Sequence, residues 1–160
     1  GHDMTIRALS EIRQAVPDVL YAIVGNGEER ESLEQLVEET QTAEHVQFLG
    51  EVSDEDMIRC YQQCDLFALP NRQVGRDIEG FGMVLLEAQA CGRPALAGAS
   101  GGTRETMRPG ETGIVTPCES PDQVAEAMTR LLLDPLQLEQ MAKAARPWAV
   151  ENFDLSLIHI

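Results

Sequence analysis

Basic residues are scarce in this chain: 12 Lys and Arg stand against 27 Asp and Glu, a formal net charge of −15 over 160 residues. Gripping a nucleic-acid backbone requires clustered Lys and Arg, so this balance argues against a polymer-binding groove. A small anionic ligand is not excluded by it, since backbone N–H groups at a helix N-terminus hold phosphate without a side-chain cation. Long hydrophobic runs are lacking as well. Charge breaks the apolar stretches within about eight residues, far short of the roughly 20 that cross a bilayer, so no membrane span is expected. Metal-ligating residues are few. Cys60, Cys64, Cys91 and Cys118 fit neither a disulfide framework nor a zinc spacing, and the three histidines are far apart in sequence. Small buried thiols, no metal, and a reducing, cytoplasmic setting are expected. The chain opens on Gly1 without a charged-then-apolar leader, which reads as an excised piece with neither signal peptide nor natural start.

What is present suits one ordinary globular domain: 43% hydrophobic and 24% charged residues, close to the soluble average. Short apolar runs bounded by Gly, Pro or polar residues recur at Val19 to Val24, Val46 to Leu49, Leu66 to Leu69, Pro94 to Ala97 and Gly113 to Thr116. Each suits a strand buried on both faces of a parallel sheet. Between them lie helical spacings: Met4, Ala8, Leu9, Ile12 and Val16; Leu33, Leu36 and Val37; Val124, Ala127, Met128, Leu131 and Leu132. Ser120-Pro121-Asp122-Gln123 marks a helix start, with an N-cap serine, proline at the first helical position and glutamine three residues on. Strands alternating with helices predict an α/β fold, a Rossmann-like doubly wound parallel sheet.

Ligands of such sheets bind at the carboxyl ends of the strands. The loops there are Gly25-Asn26-Gly27, Gly50-Glu51-Val52, Pro70 to Gly82 and Ala99 to Thr103, three of them rich in glycine. Tight turns needing positive φ explain any one of these. Several glycine loops converging on one sheet edge point to a site.

The stretch EGFGMVLLEAQACGRP, residues 79 to 94, carries most of the chemistry. Gly80 and Gly82 flank Phe81 just ahead of a helical pattern beginning Met83, Val84, Leu85 and Leu86. A glycine turn feeding a helix leaves N–H groups free, with about half a positive charge from the helix dipole, an arrangement suited to phosphate. Glu87 follows in the second turn among apolar neighbours, where a buried carboxylate needs partners. A vicinal diol such as that of ribose offers two hydroxyl protons to its two oxygens; Arg or solvent at an exposed edge is the plainer alternative. A hydrolytic pairing of Glu79 with Glu87 is disfavoured, because eight residues of continuous helix would separate the Cα atoms by about 12 Å, beyond the roughly 5 to 9.5 Å between catalytic carboxyls. Asp54-Glu55-Asp56 spells the Asp-x-Asp with which some sugar transferases hold a metal. Here it follows Ser53 at a helix start, where acids complement the dipole regardless of function.

The ordered set Glu79-Gly80-Phe81-Gly82, Leu86-Glu87-Ala88, Ala90-Cys91-Gly92 and Pro94 resembles the signature of the retaining glycosyltransferases of family 4, which have the two-domain GT-B architecture. Val24-Gly25-Asn26-Gly27, Phe48-Leu49-Gly50, Cys64-Asp65-Leu66-Phe67, Gly101-Gly102, Gly110 and Thr112-Gly113 support it. The resemblance covers residues 1 to 154, and Arg76 to Gly92 looks closest to the phosphatidylinositol mannosyltransferase-like branch. It implies a donor-binding domain for a UDP- or GDP-sugar, with Glu87 on the ribose hydroxyls and Glu79, the family's catalytic-site glutamate, on a hydroxyl of the donor hexose. Backbone amides around Gly80, Phe81, Gly82, Met83 and Val84 would serve sugar and diphosphate. Gly50 to Val52 would read the base edge, Gly25 and Gly27 would line the cleft, and Gly101 and Gly102 would complete the donor site.

Two departures accompany it. The family's diphosphate-binding Arg and Lys precede a glycine matching Gly1, so this chain starts just after them, and the acceptor-binding N-terminal domain is missing. The tail, residues 155 to 160, does not resemble the family's closing helix. The implied reaction of the intact enzyme is transfer of a hexose to an acceptor hydroxyl with retention. No base or nucleophile from this chain and no metal or cofactor is expected. Stabilising charge on the leaving phosphate would be the main catalytic contribution, and the piece alone is expected to bind donor weakly and to be inactive. A non-catalytic nucleotide-binding module of the same fold, or a related GT-B enzyme such as a sugar-nucleotide epimerase or a phosphorylase, remains as an alternative.

Overall fold

The computed structural model describes residues 1–76 and 78–153. The atypical tail at 155–160 lies outside the described residues. The chain runs α1 (His2–Ala15), β1 (Tyr21–Val24), α2 (Arg30–Glu39), β2 (Val46–Gly50), α3 (Asp54–Gln63), β3 (Phe67–Leu69), α4 (Met83–Ala90), β4 (Ala95–Gly98), β5 (Gly113–Thr116), α5 (Pro121–Leu132) and α6 (Pro135–Asn152). All five apolar runs become strands: β1 and β3 start later than the runs, β2 continues to Gly50, β4 is shifted by one residue and β5 matches. Ala22 of β1 and Gln47 of β2 are exposed, however, so those two strands are not buried on both faces. β1 starts at Tyr21 because the chain is still turning at Val19, whose N–H donates to Val16 and whose carbonyl accepts from His45 Nδ1.

Among the described residues the strand ladders are all parallel, as expected, with one isolated antiparallel bridge between Gly25 and Gly50, but they form two sheets rather than one. β1 pairs with β2, with a register shift between Ile23 and Val24, while β3, β4 and β5 form a second ladder in that order. One hydrophobic core nevertheless joins them. Ile23 of β1, Leu96 of β4 and Ile114 of β5 pack with Ile6, Leu9 and Ile12 of α1, Leu36 of α2, and Val124 and Leu131 of α5. On the opposite face, Ala95 and Ala97 of β4 and Phe67 and Leu69 of β3 pack with Leu85 of α4 and Met107. Successive side chains of a strand point to opposite faces, so β4 is buried on both, and the three-stranded sheet is covered on either side as a doubly wound fold requires.

The helix starts follow local chemistry. Ser53 Oγ accepts from the Asp56 N–H at 3.2 Å, and Glu55 and Asp56 pair with Arg59 on the exposed side of α3. The Asp-x-Asp is therefore occupied as a helix start. Ser120 Oγ accepts from the Gln123 N–H at 3.4 Å while Gln123 Oε1 accepts from Glu119 N–H at 2.9 Å, a reciprocal box around the start of α5. α6 was not visible as an amphipathic pattern. It buries only Met141, Ala145 and Ala149, a narrow stripe of mostly small residues laid against α4, and it carries Pro147 within its length.

Candidate functional site

The site is built on α4. Leu85, Leu86, Ala88, Gln89 and Ala90 are all buried, so this helix is apolar nearly all round and belongs to the interior. Gly82 caps it in the left-handed conformation, φ +79°, with no side-chain cap. The left-handed backbone favours glycine here, and a Cβ would crowd only side-chain ends, lying 2.9 Å from Leu85 Cδ1 and 3.3 Å from Thr103 Cγ2. The Leu85 N–H donates to the Gly82 carbonyl at 2.9 Å, and with no side-chain cap the Met83 and Val84 amides are left without an intrahelical acceptor among the described residues.

Parallel pairing puts the glycine loops at the carboxyl ends of the strands, where the structure stitches them into two pairs. In one pair, the Gly102 N–H donates to the Gly80 carbonyl at 2.9 Å. A Cβ on Gly101, φ +70°, would fall 1.7 Å from the Glu79 carbonyl oxygen. Asn71 ties the same loops together lower down: its Oδ1 accepts from the Gly98 N–H at 2.9 Å and its Nδ2 donates to the Ser100 carbonyl at 2.7 Å. Thr103 Oγ1 closes the turn by donating to the Gly98 carbonyl at 2.7 Å. In the other pair, the Gly25 N–H donates to the Gly50 carbonyl at 2.7 Å. Arg30 stands beside it, donating to Asn26 Oδ1 at 2.8 Å and lying over the Phe48 ring. Gly27 is open to solvent and Val52 half-buried at the same edge.

The two glutamates differ in their surroundings. Glu79 and Glu87 are both half-buried. Among the described residues no donor holds the Glu79 carboxylate, whereas Glu87 Oε2 accepts from the Tyr61 hydroxyl at 2.7 Å. The partner of Glu87 is thus neither an arginine nor solvent alone. Burial, reinforced by the adjacent carboxylate, pushes the Tyr61 phenol well above its usual range, so it stays a donor.

Sequence reading missed Tyr61, Asn71 and one cation. Arg72 makes a two-pronged bond to Asp3 at the start of α1, Nη1 to Oδ1 at 2.9 Å and Nη2 to Oδ2 at 2.7 Å. Burial raises the Asp3 carboxyl, but the bonds and charge of Arg72 outweigh it and leave the group below its usual value. Gly1 packs on the Pro70 carbonyl, where a Cβ would lie only 2.0 Å away, so the start of α1 reaches the end of β3. The glycine turn also has a support from α6: Phe81 meets Phe153 edge-on at 6.1 Å, and Phe153 meets Trp148 at 5.9 Å.

The cysteines are all free, but only Cys118 is fully buried; Cys60, Cys64 and Cys91 are half-buried rather than buried as expected. Burial pushes the Cys64 and Cys118 thiols up to about 11. Among the described residues no group of three His, Cys, Asp or Glu is arranged to hold a metal. No helix there is long and apolar enough to cross a membrane. Two shallow hollows, one between α1 and α5 at Glu11 and Glu126, the other along α2 at Glu31 and Glu34, lie on none of the glycine loops. Both present carboxylates, and neither is lined by a glycine.

A parallel α/β domain with free helix-start amides, glycine loops at the strand ends and a carboxylate in the following turn has the architecture of Rossmann-type domains. Residues 1–148 match the family Glycosyl transferases group 1, and the chain belongs to that family. It is 43% identical over 155 residues to a GDP-mannose-dependent alpha-(1-6)-phosphatidylinositol monomannoside mannosyltransferase of Mycolicibacterium smegmatis, matching 96% of this chain and 41% of that protein. It is 33% identical to a phosphatidyl-myo-inositol mannosyltransferase of Mycobacterium leprae, matching 99% of this chain and 40% of that one. The chain therefore spans well under half the length of these curated relatives. Among solved structures, Anabaena Alr3699/HepE in complex with UDP superposes with a TM-score of 0.85 at 27% identity, over 99% of this chain and 43% of that one. The C-terminal domain of a glycosyl transferase group 1 family protein (LpcC) from Francisella tularensis shares the fold, TM-score 0.82 at 22% identity, over 97% of this chain and 80% of that one. The fold is that of a GT-B C-terminal domain.

Proposed function

We propose that this chain binds the nucleotide-diphosphate sugar donor of a retaining hexosyltransferase, the protein it belongs to passing the hexose to an acceptor hydroxyl. The observation that carries this reading is α4 itself, with unsatisfied amides in its first turn and an anchored carboxylate at Glu87. Residues four apart on a helix share a face, and their side chains lean toward its N-terminus. Glu87 therefore stands over Met83, so one ligand can meet phosphate donors and a diol acceptor along a single face. A nucleoside diphosphate has both groups in that order.

In this reading the amides of Gly82, Met83 and Val84 take the diphosphate, Glu87 the ribose and Glu79 a hydroxyl of the donor hexose. Gly80 and Phe81 shape the turn under the sugar, with Gly101 and Gly102 pressed against it. Gly50 and Val52 meet the base, and Gly25 and Gly27 close the cleft. Neither glutamate acts as acid or base. The bond from the anomeric carbon to the leaving phosphate breaks on the face where the acceptor oxygen attacks, and the acceptor proton passes to that phosphate. Helix-start amides stabilise the charge that develops there. No metal or cofactor enters this scheme.

GDP is favoured over UDP as the nucleotide by the GDP-mannose dependence named for the relative at 43% identity. A separate acceptor-binding domain completes the enzyme, and the relatives' names make an inositol phospholipid mannoside a candidate acceptor. A cytoplasmic location at the inner face of a membrane suits such an acceptor and the free thiols. Titration calorimetry with GDP and UDP, on the wild type and Glu87→Ala, tests the reading. GDP is expected to bind, with affinity falling at least about tenfold in the variant as hydrogen bonds to a charged group are lost. Tight binding indifferent to Glu87→Ala would contradict it.

A further inference from the structure

The carboxylate assigned to the ribose does not stand alone. Among the described residues its one side-chain partner is Tyr61, whose hydroxyl reaches Oε2 from α3. Tyr61 is only 4% exposed. Its ring is set edge-on against Phe67 of β3, centroids 5.4 Å apart at 61°, and its carbonyl accepts from the Cys64 thiol at 3.3 Å. The hydroxyl is thus held by a packed ring between a helix and a strand, while Glu87 itself is half-buried at the site. A glutamate side chain turns about several bonds, and holding it in one geometry costs rotamer freedom. A fixed donor on one oxygen removes most of that freedom before any ligand arrives. It leaves Oε1, together with the second lone pair of Oε2, to accept further hydrogen bonds.

We propose that Tyr61 is a positioning residue for ribose recognition, its hydroxyl fixing Oε2 of Glu87 so that Oε1 is presented to the vicinal diol of the bound nucleotide. The proposal rests on the assignment of Glu87 to the ribose. It makes the preference for a ribonucleotide depend on a residue that never touches the ligand. Removing the hydroxyl while keeping the ring, as Tyr61→Phe does, should leave packing against Phe67 intact and free the carboxylate.

The test measures binding of GDP and UDP, each beside its 2′,3′-dideoxy counterpart, to the full chain as wild type, Tyr61→Phe, Glu87→Ala and the double variant, with circular dichroism and melting curves as the check on folding. The wild type is expected to prefer the ribonucleotide by roughly a hundredfold, two hydrogen bonds to a charged group, and Glu87→Ala to abolish the preference. Tyr61→Phe should cut that preference about tenfold while changing dideoxynucleotide affinity less than about twofold, and should add nothing once Glu87 is gone, because the two act as one unit. A Tyr61→Phe protein that keeps the full preference, or that loses both nucleotides equally, overturns the proposal and leaves the assignment of Glu87 standing. A wild type without ribose preference, or a Glu87→Ala protein that retains it, removes that assignment and this proposal together.

Discussion

Gly101 and Gly110 share a left-handed backbone, φ +70° and +87°, but not their surroundings. An added Cβ at Gly110 meets nothing within 4 Å, so Gly110→Ala is expected to lose only the backbone preference, about 1 to 2 kcal/mol. At Gly101 the same methyl falls on the Glu79 carbonyl. Gly101→Ala should lose a further 1 to 3 kcal/mol or so from overpacking, and with it nucleotide binding, while Gly110→Ala binds normally. Melting curves and calorimetry on the pair check this, and equal losses would mean the two loops do not press on each other. The Asp3 to Arg72 pair gives a pH dependence. Its carboxyl is held below the unfolded value, so its contribution is complete above the unfolded pKa of about 3.9 and is lost as pH falls through the lower folded one. Asp3→Asn is expected to be the less stable protein near neutrality and to show less loss on acidification below about pH 4, read from melting temperature against pH; parallel curves would contradict it. Residues acting through their neighbours in the chain were legible beforehand. Glu79, Glu87 and the glycines are read in one stretch, but Tyr61 is 26 residues from Glu87, Asn71 is 27 from Gly98 and Asp3 is 69 from Arg72. No local pattern encodes such pairs, because the crossovers of the fold bring them together.

Elements were legible where their burial is one-sided or complete, and where their ends are capped. The strands of the three-stranded sheet are continuous apolar runs because that sheet is covered on both faces, whereas β1 and β2 expose Ala22 and Gln47. α5 announces itself through Ser120, Pro121 and Gln123. The division into two ladders was not legible: it depends on which strand edges meet, and β3 has only three residues to pair. α6 escaped for a different reason, since alanines facing α4 give little contrast with its polar side. Yet α6 bears on the site through the stack of Trp148, Phe153 and Phe81, with Trp148 Nε1 also donating to the Thr106 carbonyl at 3.1 Å. Each aromatic pair is worth about 0.5 to 1.5 kcal/mol beyond its area. Phe153→Ala should therefore loosen the turn before α4, raising amide hydrogen exchange several-fold at Leu85 and Gly102, whose N–H groups donate to the Gly82 and Gly80 carbonyls, while β4 and α5 are unchanged. Unaltered exchange in that turn would show that α6 lends it no support.

At the scale of the molecule, the charge of −15 and the proposed diphosphate ligand are opposed unless the local field reverses the sign. The fold offsets part of that charge with backbone: the start of α4 has no side-chain cap over its amides, and the start of α1 reaches the same edge beside Pro70. Helix ends act within about one turn, so the acidic surface elsewhere keeps the protein apart from polyanions without spoiling the cleft. The central claim is that this edge, built around α4, is the donor site. Amide chemical-shift mapping of the isotopically labelled chain during titration with GDP tests it most directly. The largest shifts are expected at Gly82, Met83 and Val84, followed by Gly25, Gly50, Gly101 and Gly102, with Glu11, Gln14 and Glu126 at the far hollow unmoved. Shifts centred on that hollow, or a saturating titration that leaves the start of α4 unperturbed, would contradict it.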